Sequence, residues 1–141
     1  MPFEERVSKL RELRARHVND VWSNLRLGRV LAGKGRTQEA TTYYQAALAA
    51  EPTAAVHGVI ATVANRQARY NEAVAHWTEA IRLKPNVDSY HLFLGHNLMY
   101  ELRYEEAIAA FQRAIEFSGP GGNNMVNLGR VLSDETVSKI P

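Results

Sequence analysis

Thr37-Gln-Glu-Ala-Thr-Thr-Tyr-Tyr-Gln-Ala-Ala-Leu48 has two close copies further along the chain, Asn71-Glu-Ala-Val-Ala-His-Trp-Thr-Glu-Ala-Ile81 and Glu105-Glu-Ala-Ile-Ala-Ala-Phe-Gln-Arg-Ala-Ile115. In each, an alanine is followed four residues later by an aromatic and three residues after that by a second alanine. The triplets are Ala40/Tyr44/Ala47, Ala73/Trp77/Ala80 and Ala107/Phe111/Ala114, spaced by 33 (73 − 40) and 34 (107 − 73) residues. Offsets of four and seven put all three side chains on one face of a helix. Small residues on such a face let a neighbouring helix come close, and the aromatic fills the space beside them.

A second pattern precedes each copy. Leu27-Gly28 with Leu31, Leu94-Gly95 with Leu98, and Leu128-Gly129 with Leu132 repeat one motif, and Ile60-Ala61 with Ala64 is its weaker form. A glycine inside a helix costs about 0.5–1 kcal/mol relative to alanine, so its recurrence at equivalent places points to a close helix–helix contact that offsets the loss. Pro52, Pro85 and Gly119-Pro120 punctuate the ends of the second helices, and Asp20, Thr53 and Asp88 are suited to cap the helices that follow. The pattern predicts helices at about 21–33, 37–50, 54–67, 70–83, 88–101, 104–117 and 122–132. Residues 3–16 add an amphipathic helix with Phe3, Val7, Leu10 and Leu13 on one side.

These residues resemble the tetratricopeptide repeat family, whose unit pairs a Leu-Gly first helix with an alanine–aromatic–alanine second helix and a closing proline. The resemblance covers roughly residues 21–132, with Asn24, His57, His91 and Met125 where the family usually carries a large aromatic. It implies an all-α fold, a right-handed α-solenoid of antiparallel helical hairpins. On that reading an N-terminal cap or degenerate repeat (1–20) precedes repeats at 21–53, 54–87 and 88–121, and a half repeat with a tail (122–141) follows. The resemblance further implies a non-catalytic module that binds a peptide or protein segment in a groove lined by the first helices. Phasing the repeats assigns Trp22, Leu25, Arg29, Asn65, Arg66, His96, Met99, Tyr100 and Arg130 to that groove. Among tetratricopeptide proteins that clamp chaperone tails, a basic and amide set does the work. Here the matching positions hold Leu25, Arg29, Val59, Ser89 and Phe93, which does not support that ligand.

Composition narrows the alternatives. A net charge of +2 is too mild to signal nucleic acid, and no run of apolar residues is long enough to span a membrane. The first two repeats each carry four Lys/Arg against two Glu, whereas the third carries two Arg against Asp88, Glu101, Glu105, Glu106 and Glu116. Those acids would repel phosphates. The absence of cysteine removes disulfides and thiolate chemistry and suits the cytoplasm. His91 and His96 are five apart, off the spacing that zinc-binding helices use, and His57 and His91 occupy equivalent repeat positions, as packing residues would. No enzyme activity, metal or cofactor is therefore expected. Two other readings stay open: self-association through an apolar edge formed by Met125, Val126, Leu128 and Leu132, and a recruiting fragment of a larger enzyme continuing past residue 141.

Overall fold

A computed structural model describes residues 1–16, 20–119 and 123–133. His17, the linker residues Pro120–Gly122 and the tail from Asp134 onward lie outside the described residues. Within them the chain forms helices α1 (Phe3–Arg16), α2 (Val21–Gly33), α3 (Thr37–Ala50), α4 (Ala54–Arg66), α5 (Tyr70–Leu83), α6 (Asp88–Tyr100), α7 (Tyr104–Ser118) and α8 (Asn123–Ser133), with no strand. None of these helices is long and apolar enough to cross a membrane. The structure divides into two compact units, Met1–Ile60 and Ala61–Pro141.

In the first unit α1 packs on α2, and α2 pairs with α3. Asp20 caps α2, accepting from the Ser23 N–H at 3.0 Å and the Ser23 hydroxyl at 2.6 Å. Thr53 Oγ1 accepts from the Val56 N–H at 3.3 Å and so caps α4. Asp88 does not cap α6. Val87 occupies the cap position without a side-chain bond, and Asp88 lies one residue inside, where its charge still suits the positive end of the helix. The core of this unit is built from Val7, Leu25, Leu27, Leu31, Ala40, Tyr44 and Ala47. Asn24, at the position of a family aromatic, is fully buried. It accepts from Arg14 Nε at 2.8 Å and donates to the Asp20 carbonyl at 2.9 Å.

In the second unit α6 pairs with α7, and α5 and α8 pack on either side of that pair. Its core joins Val74, Leu98, Ala107, Ala110, Phe111 and Val131. His91 is buried here as well; its Nε2–H donates to the Pro85 carbonyl at 2.8 Å and its ring tilts over Phe117. That hydrogen bond satisfies a polar group that burial would otherwise penalise.

Both units use one device to bring the paired helices together. In the first, the Tyr44 ring lies against Gly28; a methyl group added there would sit 2.7 Å from Tyr44 Cδ1. In the second, a methyl on Gly95 would sit 2.7 Å from Phe111 Cε1. Ala61 and Trp77 hold the corresponding places in the weaker copy, and both are buried. Gly129 has no described neighbour within 4 Å of where its methyl would be.

The hairpin turns also share one geometry. The Arg36, Arg69 and Arg103 amides donate back to the carbonyls of Leu31, Ala64 and Leu98 at 3.0, 2.9 and 2.9 Å, closing six-residue loops that stop each first helix. The residue before each arginine takes a positive φ: Gly35 at 76°, Ala68 at 57° and Leu102 at 60°. Each arginine then pairs with a glutamate three residues on, Arg36–Glu39 at 2.6 Å, Arg69–Glu72 at 3.7 Å and Arg103–Glu106 at 2.6 Å. The bond to Arg103 holds the Glu106 carboxyl below its ordinary range, as Arg36 does for Glu39.

The glycine contacts predict opposite outcomes for one chemical change. Gly95→Ala forces the Phe111 ring to move, and overpacking of this kind costs about 1–3 kcal/mol, more than the roughly 0.5–1 kcal/mol that a helical alanine returns. Gly129→Ala meets open space and gains that smaller amount. Denaturant melts of the two variants should move in opposite directions, and a stabilised Gly95→Ala protein would disprove the contact.

Candidate functional site

The second unit contains a cleft of about 260 Å³ among α4, α5 and α6. Its α6 wall is Phe93, His96, Asn97 and Tyr100, at offsets of three, four and seven, the spacing of one helical stripe. Thr62 and Asn65 form the α4 side and Trp77 the floor. The aromatics are mutually ordered. Trp77 lies 5.0 Å from Phe93 and 5.7 Å from Tyr90, and Tyr70 stacks on Tyr100 at 4.5 Å with an interplanar angle of 14°. Tyr100 is nevertheless 61% exposed and Phe93 43%. Two large rings thus stand at the mouth, Phe93 packed on the buried Trp77 and Tyr100 on the half-buried Tyr70.

Amides supply the polar part of the cleft. Asn97, itself buried, donates from Nδ2 to Asn65 Oδ1 at 2.5 Å. This bond fixes Asn65 and leaves the Asn65 amide nitrogen available as a donor. His96 sits half-buried with Phe111 edge-on at 5.3 Å. Burial first, and then the charge of Arg130, lower its pKa below the ordinary imidazole value of 6.5. At neutral pH the wall is therefore uncharged.

The sequence-predicted groove residues divide into several groups. Asn65, His96 and Tyr100 line the cleft, and Arg66 is exposed at the end of α4. Met99 packs against the Phe111 core instead, outside the cleft lining. Arg130 is exposed on α8. In the first unit Trp22 is 71% exposed and Arg29 is exposed, but Leu25 is only 4% exposed. Leu25 falls on the side of α2 that carries Val21 and Gly28, which faces the core; Arg26 occupies the exposed stripe in its stead. Thr62, Trp77, Phe93 and Asn97 are cleft residues that repeat phasing misses, although the Phe93-His96-Asn97-Tyr100 stripe is readable from spacing alone. At the predicted self-association edge, Met125, Val126 and Leu132 are 46%, 57% and 52% exposed. Leu128 is partly buried against the α7 core, beside the fully buried Val131. No group of three or more His, Asp or Glu that could hold a metal ion occurs among the described residues.

The family model of the tetratricopeptide repeat matches residues 8–55, 25–88 and 59–123 of the sequence. The chain belongs to the tetratricopeptide repeat family. Such repeats form helical solenoids that serve in general as protein–protein interaction scaffolds. Solved tetratricopeptide structures share the fold. MamA of Desulfovibrio magneticus RS-1, from residue 41 to its end, is 21% identical with a TM-score of 0.84, covering 97% of this chain and 78% of that one. A second MamA crystal structure is 15% identical with a TM-score of 0.85, over 96% of this chain and 80% of the other. PilF of Pseudomonas aeruginosa is 20% identical with a TM-score of 0.82, over 95% and 62%. None of the curated proteins matches the chain.

The depressed His96 pKa gives a pH test. Because the folded value is lowered, the unfolded chain takes up this proton first as the pH drops. The stabilisation from neutral His96 is complete above about pH 6.5 and is lost as the pH falls from there through the folded value. Thermal melts should show a shallower acid-side decline in His96→Gln than in the parent. Identical slopes would show that His96 titrates as it does in the unfolded chain.

Proposed function

We propose that this tetratricopeptide protein is a non-catalytic binding module, organised as repeats at 21–53, 54–87 and 88–121, whose second unit captures an extended segment of a partner protein in the α4–α5–α6 cleft. The observation that supports this most is the pair of exposed rings, Phe93 and Tyr100, standing beside the amide of Asn65. An extended peptide offers alternating side chains and a backbone rich in carbonyl acceptors. Aromatic walls suit the side chains, and an oriented amide donor suits the backbone. Aromatic residues lose little conformational entropy on binding and are enriched among residues that dominate interface energetics. The cleft is uncharged at neutral pH, so it favours an apolar or aromatic side chain over an ionic one.

Selecting ligands for the folded protein from a display library of random peptides, and then truncating the cleft on one selected ligand, tests the reading. Tyr100→Ala and Phe93→Ala should each weaken binding about tenfold or more, the cost of losing a central aromatic anchor, roughly 1.4 kcal/mol or above. Asn65→Ala should weaken it less. Unchanged affinity in all three, with helicity preserved, would remove the cleft from consideration.

The exposed Met125, Val126 and Leu132 favour a second reading, self-association through α8. Light scattering should then report a mass that rises with concentration in the parent and stays at 15.8 kDa in Val126→Glu. A parent that remains monomeric at high concentration excludes it.

A further inference from the structure

The first unit carries a separate cleft of about 510 Å³ between α1 and α2. Its rim is cationic: Arg6 and Lys9 stand on α1, and Arg26 and Arg29 face them from α2. Between them lie Leu10, Leu13 and Val30, an aliphatic floor on which Leu13 remains 38% exposed. The cleft continues past Arg29 to Lys34 at the end of α2. No Asp or Glu contributes to the lining of either stretch.

The state of these charges sets the cleft apart. Elsewhere in the molecule Arg36, Arg69, Arg82, Arg103 and Arg113 each have a glutamate three residues away as a partner. On the opposite flank of α1, Arg11 reaches Glu39 at 3.1 Å and Arg14 reaches Asn24. Lys9 has Glu5 at 3.6 Å. Arg6, Arg26 and Arg29, by contrast, have no carboxylate within 4.0 Å among the described residues. Three guanidinium groups thus line one apolar trough with no carboxylate paired to them among the described residues. Such a field attracts anionic ligands and repels cationic ones, and planar guanidiniums bind carboxylates through paired N–H donors. Trp22 lies one helical turn before Arg26 on the same exposed stripe of α2, outside the cleft lining, and its indole is exposed.

We infer that the α1–α2 cleft of the first unit is a docking site for an acidic amphipathic helix of a partner protein. Its leucine-type side chains would lie on Leu10, Leu13 and Val30, and its carboxylates would meet Arg6, Arg26 and Arg29. A recessed trough flanked by two helices accommodates a ridge of side chains, the geometry of helix-in-groove recognition. A flat anionic membrane could reach the rim cations but not the floor. This site is distinct from the second-unit cleft and does not depend on it.

The probe is a synthetic helical peptide with leucine at i, i+4 and i+7 and glutamate on the flanks, alongside a counterpart with lysine for every glutamate. Trp22 fluorescence reports binding, since Trp77 is buried. The glutamate peptide should bind with a Kd on the order of micromolar. Binding should weaken as salt rises from roughly 0.05 to 0.2 M. The double variant Arg26→Glu/Arg29→Glu, both positions exposed, should weaken it by at least about tenfold without loss of helicity. Tyr100→Ala should leave it unchanged. Equal binding of the two peptides, or an unaffected double variant, overturns the proposal. So does loss of binding on Tyr100→Ala with the double variant intact, which would assign the peptide to the second-unit cleft. Binding of phosphatidylserine vesicles in place of the peptide also overturns it, in favour of a lipid surface.

Discussion

The distance between paired helices is set by an aromatic ring pressed against a backbone that carries no side chain. Gly28 receives Tyr44 in the first unit, and Gly95 receives Phe111 in the second. Because the approach is so close, small residues must occupy the rest of the contact, and Ala40, Ala47, Ala107 and Ala114 are all fully buried. Dispersion contacts made at this density are individually weak and collectively large. They also leave little freedom for sliding or rotation. Once the inward face of each first helix is fixed by its glycine, the outward stripe is fixed too, with Trp22, Arg26 and Arg29 on α2 and Phe93, His96 and Tyr100 on α6.

Trp77 shows how the hairpin core and the cleft are connected. It stands at the aromatic position of the weaker copy, where Ala61 replaces glycine, and it is 4% exposed. Its ring is large enough to fill the contact and still reach Phe93 and Tyr90. One residue therefore packs the helices and supports the rings at the cleft mouth. Tyr70 supports Tyr100 in the same way. The exposed aromatics are thus preorganised, which reduces the entropy a ligand must overcome on binding.

Much of the helical framework was legible in the sequence because several local signals agree at each boundary. α2 begins after Asp20 and α4 after Thr53, as capping chemistry requires. The displaced cap at α6 has a simple origin: an acidic residue is favoured both at the cap and one step inside it, so Asp88 does not tell the two apart. The surface was harder to read. Leu25 was assigned to the groove by its place in the repeat, while the helical angle puts it with Val21 and Gly28. The repeat places Asn24 and His91 at a packing position but does not show what satisfies their polar atoms, because Arg14 and the Pro85 carbonyl come from other segments of the fold. The unpaired state of Arg6, Arg26 and Arg29 is likewise invisible in a charge count, because it depends on which glutamates lie within reach.

The three hairpin turns are built alike and yet differ in local strain. Gly35, Ala68 and Leu102 all adopt the left-handed conformation, which glycine enters freely and side-chain-bearing residues enter at a cost of about 1–2 kcal/mol. The returning hydrogen bonds from Arg69 and Arg103 hold the two strained copies in place. Relaxation of that strain is available only when those bonds break, so the loops at 67–69 and 101–103 store elastic energy that the loop at 34–36 lacks. Local opening, as hydrogen exchange would register it, is accordingly cheaper at the two turns of the second unit, which follow the helices that supply Asn65 and Tyr100 to the cleft.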